Sequence, residues 1–102
     1  MAKMTVVYWR DIPAQVIVKQ GRTAAKRQLP ERFEQAIDRC AMRVGALNTD
    51  DYLAEWRRGA SVAVDGDLEQ AASAEATRLE TEFDKERIKA LIANSGWAVA
   101  QA

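Results

Sequence analysis

The sequence predicts an α+β sandwich, a small antiparallel sheet packed on two to three helices, and three observations carry that expectation. Two runs dense in β-branched and aromatic residues, Met4 to Trp9 and Ala14 to Lys19, flank the corner Arg10-Asp11-Ile12-Pro13. An amphipathic stretch follows from Pro30 to Val44, and helical periodicity returns after Asp67. Strands first and helices after, without a repeat, assemble two layers around one core.

The first element is a hairpin. Pro13 fixes its own φ and restricts Ile12 before it, so the chain reverses at the polar corner. Gly21 ends the second strand, and Ala24 to Pro30 leads into the next element. Pro30 suits a first helical turn, where a missing N–H costs nothing. From there Phe33, Ala36, Ile37, Cys40, Ala41 and Val44 recur at helical steps, with Glu31, Glu34, Asp38, Arg39 and Arg43 on the other face. Gly45 stops this helix, expected over 30–44.

The segment from Thr49 to Arg58 reads two ways. Thr49 is placed to cap a short helix, whereas Tyr52, Ala54 and Trp56 alternate as a strand does; a third strand is favoured, because two strands alone make a marginal sheet. Gly59 to Gly66 reads as a connection. Asp67 then caps a helix with Leu68, Ala72, Ala76, Leu79 and Phe83 on one stripe. Ile88, Leu91 and Ile92 fall on another phase, so a break is expected at 83–84, with Asp84 as a new cap. The last helix is expected over 85–94, ended by Asn94-Ser95-Gly96, and residues 97–102 are expected either to fray or to dock through Trp97.

Composition bounds the chemistry. A chain of 102 residues with 48% apolar content fits one domain with a modest core. No stretch approaches the roughly 20 apolar residues of a membrane span, and no signal-type apolar core opens the chain, so no membrane is expected and the cytosol is the default address. The single cysteine, Cys40, permits no internal disulfide and suits a reducing compartment. The absence of histidine removes the commonest general base and metal ligand. No metal and no cofactor is assigned, and no catalytic residue stands out: Asp11, Asp38 and Glu55 show no pairing in their spacing.

Fifteen basic and fifteen acidic residues cancel, but unevenly. Residues 1–43 hold nine basic against four acidic, and residues 44–102 hold six against eleven, so the parts carry +5 and −5. One basic and one acidic surface are expected. Arg10, Lys19, Arg22, Lys26, Arg27 and Arg32 form the basic group, and arginine suits forked recognition of oxyanions. Tyr8 and Trp9 point to opposite faces of a regular strand, so a sheet with one buried face covers only one of them. The expected binding surface is therefore the hairpin tip with the basic segment behind it: Trp9, Arg10, Asp11, Gln15, Arg22, Lys26 and Arg27. Arg10 and Arg22 would hold an anion, Trp9 would supply area and Asp11 would set the turn. Nucleic acid is disfavoured by zero net charge and by the lack of an RNA-recognition signature. Cys40, on the apolar stripe, is expected to pack as a small buried residue.

The runs Val7 to Val16, Glu31 to Asp38 and Tyr52 to Arg58 resemble the small bacterial virulence factor domain family, over roughly residues 4 to 92. The family also resembles the C-terminal part of a longer virulence factor of Gram-positive bacteria. The resemblance implies no established catalytic residues. Stand-alone members resembling this chain are often encoded near folate and cobalamin one-carbon enzymes in alphaproteobacteria, so the resemblance implies an alternative role as a subunit of a methyl-transfer system. The leading expectation is a cytosolic accessory module that binds a protein partner or an anionic small molecule. Neither partner identity nor oligomeric state is indicated.

Overall fold

The computed structural model describes residues 2–45 and 49–98. In chain order the elements are β1 (Ala2–Trp9), β2 (Ile12–Gln20), β3 (Thr23–Gln28), α1 (Glu31–Arg43), α2 (Thr49–Ala54), β4 (Trp56–Arg58), β5 (Val62–Val64), α3 (Leu68–Glu82) and α4 (Lys85–Ala93). The five strands form one antiparallel sheet in the order β3-β2-β1-β4, with β5 also pairing β1. The α+β class is as expected. Among the described residues, no helix is long and apolar enough to cross a membrane.

The hairpin forms where the β-branched runs place it, with one irregularity. Val7 pairs with Gln15 and Tyr8 with Pro13, so Ala14 is the extra residue of a bulge on β2. The bulge breaks strict alternation at the strand end. Trp9 is fully buried, and the neighbouring Tyr8 is half-buried beneath the Arg57 guanidinium, 4.6 Å from its ring centroid. A regular strand would have left one of these rings uncovered.

β3 was expected to be a lead into the helix and is instead an edge strand. Only Ala25 in it is buried, so its pairing with β2, not side-chain preference, makes it a strand. The segment 49–58 realises both readings, helix α2 and then β4. The side chain of Thr49, the expected cap of α2, lies outside the described residues. The expected connection after Gly59 contains β5. β4 and β5 lie along the same edge of β1, joined where the Gly59 N–H donates to the Val6 carbonyl at 2.8 Å.

Helix α1 carries its predicted stripe inward: Phe33, Ala36, Ile37, Cys40 and Ala41 are buried. Pro30 stands one residue earlier than expected, at the N-cap position, with φ −54° and ψ 156°. Asp67 caps α3 by accepting from the Glu69 N–H, and Asp84 caps α4 by accepting from the Arg87 N–H. The expected break at 83–84 separates the two helices. Helix α3 packs against β1, β2 and β3, bringing Ala72, fully buried, and Ala76 close to the sheet; α1 packs on β2 and α4. One apolar cluster joins Val6, Val16, Val18 and Ala25 to Phe33, Ile37, Leu79 and Leu91. Cys40 is buried within it, as expected.

Candidate functional site

The corner between β1 and β2 turns through Arg10 at φ 54°, a left-handed conformation that a non-glycine residue adopts only when its surroundings hold it. They do. The Arg10 N–H donates to the Glu55 carbonyl at 3.0 Å, and the Asp11 N–H to the Gly96 carbonyl at 2.8 Å. Arg10 Nη1 donates to the Ser95 carbonyl at 2.7 Å, and its Nε lies 3.3 Å from Glu55 Oε2. The guanidinium carbon sits 5.2 Å from the ring centroids of both Trp9 and Trp97. Asp11 accepts from Arg57 Nη2 at 2.8 Å and from the Ala98 N–H at 2.7 Å. The C-terminal segment thus docks through Trp97 as far as Ala98; residues 99–102 lie outside the described residues.

This packing overturns the expected role of the tip. The Trp9 ring is fully buried and spends its indole N–H on the Tyr52 carbonyl at 3.0 Å, so it offers no contact area. Only 14% of the Arg10 side chain is exposed and 23% of the Asp11 side chain. Asp11 does fix the turn, but across the chain rather than within the corner. Arg10 and Arg22 also cannot hold one anion together. They flank opposite ends of β2, whose nine residues span roughly 30 Å.

The remaining candidates separate by sheet face. Gln15 and Lys26 lie on the face away from the core, while Arg27, paired with Val16, lies on the other; Arg22 is exposed in the β2–β3 turn. Arg32, also in the basic group, donates to the Glu80 and Phe83 carbonyls at the end of α3, at 2.8 and 3.3 Å.

The outer face is the feature that the sequence reading missed. Register aligns Lys3 with Lys19 and Ala24, Thr5 with Ile17 and Lys26, and Val7 with Gln15, Gln28 and Arg58. Lys3, Lys19, Lys26 and Arg58 are exposed, and Val7 and Ile17 are half-buried between them. No acidic residue stands in these rows. The signal was present as period-two alternation in β1 and β2, once the strands were read for their polar side as well as their apolar one.

Two hollows adjoin the sheet. One of about 390 Å³ is lined by Tyr8, Arg57, Arg78, Glu82 and Arg87, among others. Its guanidinium groups are already compensated: Arg57 by Asp11, Arg78 by Glu75 at 2.6 Å and by Glu82, and Arg87 by Glu82 at 3.2 Å. Hydrogen bonding to Glu75 holds Arg78 firmly in its charged form, and burial raises the Tyr8 pKa despite the opposing charge of Arg57. The second hollow, of about 210 Å³, lies between the β3–α1 corner and α2. Among the described residues, no group of three or more His, Cys, Asp or Glu is arranged to hold a metal ion.

A family model described as "Virulence factor" matches residues 7–92. No curated protein and no solved structure matches the chain.

Proposed function

The chain belongs to the virulence factor family, and from that premise we propose that it is a non-enzymatic accessory module of the cytosol that binds an acidic protein surface through the outer face of its sheet. The observation that carries this reading is the row pattern: four cations, Lys3, Lys19, Lys26 and Arg58, surround half-buried Val7 and Ile17 with no acid among them. An apolar centre with a basic rim complements an acidic protein patch, since the centre supplies burial and the rim supplies attraction and register.

A protein is favoured over nucleic acid because the two hairpin rings expected to stack bases are spent elsewhere. Trp9 is inside the core and Tyr8 lies under Arg57. It is favoured over a small anion because the four cations are spread across four strands and do not converge on a pocket. In this reading Gln15 and Lys26 are contact residues together with Lys3, Ile17, Lys19 and Arg58.

The test is fluorescence anisotropy with a labelled oligoglutamate peptide and, separately, a labelled oligothymidylate. The double variant Lys19→Glu, Lys26→Glu should weaken peptide binding by about tenfold or more, since each rim pair contributes up to about 1 kcal/mol. Unchanged peptide affinity in this variant, or tighter binding of the oligothymidylate than of the peptide by wild type, contradicts the proposal.

A further inference from the structure

We infer that the cavity between the β3–α1 corner and α2 binds an alkylammonium group. Its volume of about 210 Å³ is below the roughly 300 Å³ at which pockets for drug-sized ligands begin, so it suits a headgroup or one side chain and excludes a nucleotide. Two of its walls are aromatic. The Tyr52 and Trp56 rings, which both line the cavity, stand 5.9 Å apart at 80° as an edge-to-face pair. Leu29 and Ile37 supply apolar lining, and Glu34 stands at the rim.

Charge decides which occupant fits. Glu34 lines the cavity, and among the described residues no lysine or arginine does. Asp38, one turn farther along α1, is exposed and also acts on Tyr52. Burial raises the Tyr52 pKa first, and the negative charges of Asp38 and Glu34 raise it further, against a side-chain hydrogen bond from Trp56. Both carboxylates therefore bear on the same aromatic wall. Aromatic faces attract cations through their ring quadrupole, and a rim carboxylate adds Coulomb attraction without having to enter the cavity. An anion would meet unfavourable charge, and a neutral apolar group would gain only burial.

The same group could arrive as a free quaternary amine or as the side chain of a methylated lysine on a partner. The experiment follows the Tyr52 and Trp56 side-chain resonances by NMR. Three probes are titrated: choline, its neutral isostere with carbon in place of the quaternary nitrogen, and a short peptide bearing trimethyllysine.

At least one cationic probe should perturb both residues and bind about tenfold tighter than the neutral isostere, the ratio expected when one desolvated cation–π contact is gained. Glu34→Gln, at an exposed position, should weaken that binding about threefold to tenfold while leaving the rest of the spectrum unchanged. Tighter binding of the peptide identifies a partner side chain as the source, and equal or tighter binding of choline identifies a free amine. Equal binding of the neutral isostere, an unaltered affinity in Glu34→Gln, or no perturbation of Tyr52 and Trp56 by either cation overturns the inference.

Discussion

Replacing Arg10 by alanine tests whether the hairpin corner is a structural lock. The side chain makes a charge-assisted hydrogen bond to the Ser95 carbonyl, stacks against Trp9 and Trp97, and lies beside Glu55. The hydrogen bond is worth about 1.5–3 kcal/mol, and the two ring contacts about 0.5–1 kcal/mol each. Allowing for overlap, Arg10→Ala should cost about 3 kcal/mol. Arg10→Gly loses the same contacts but relieves the φ of 54°, so it should be milder by about 1 kcal/mol. Urea denaturation followed by tryptophan fluorescence reads both: with an m-value of about 1.5 kcal/mol per molar, the alanine variant's midpoint falls by about 2 M. At concentrations where it remains folded, that variant should bind the oligoglutamate peptide within about twofold of wild type, the range expected when no contact residue is changed. A stability change below about 0.5 kcal/mol, the size of an ordinary surface substitution, would refute the lock. A glycine variant less stable than the alanine one would refute the strain argument.

Other outcomes follow from the same packing. Gly96→Ala should cost about 2 kcal/mol by urea denaturation, because φ is +91° and a Cβ would lie 3.2 Å from Arg10 Cδ and 3.4 Å from the Trp9 ring. Ala72→Leu should cost about 1–3 kcal/mol, since α3 packs on the sheet through this fully buried small residue; a neutral result by thermal denaturation would mean that the contact is loosely packed. Burial pushes the Cys40 thiol above its ordinary 9.0, against the opposing charges of Arg10 and Arg43, so the folded state retains a proton that the unfolded state releases. Its stabilising contribution is complete below that ordinary value and is lost as pH rises through the folded one. Between about pH 9 and 10, wild type should therefore lose more stability than Cys40→Ala, and equal slopes would contradict this assignment.

The elements readable from sequence were those whose own residues decide them. The stripe from Phe33 to Cys40 specifies α1, and the caps Asp67 and Asp84 with the phase change after Phe83 specify α3 and α4. β3 was illegible because Ala24, Ala25, Lys26, Arg27 and Gln28 have little intrinsic strand preference and become a strand by pairing with β2. β5, three residues between glycine-bearing loops, depends similarly on the edge of β1. The candidate tip failed for a longer-range reason. Its covering groups, Ser95, Gly96, Trp97 and Ala98, arrive from more than 80 residues away in sequence, as the Arg10 and Asp11 hydrogen bonds show. Polarity identified Arg10 and Asp11 as residues needing partners without revealing that the chain itself supplies them. The outer face was legible in principle, because alternation places Lys3, Lys19, Gln15 and Ile17 on one side.

The most direct test of the binding surface is amide chemical-shift mapping of the isotopically labelled chain titrated with the oligoglutamate peptide. Perturbations should centre on Lys3, Ile17, Lys19, Lys26 and Arg58 and fade as salt is raised. Perturbations centred on Arg10 and Asp11, or on the outward side of α3 with the sheet rows unmoved, would contradict the assignment of the sheet's outer face as the recognition surface.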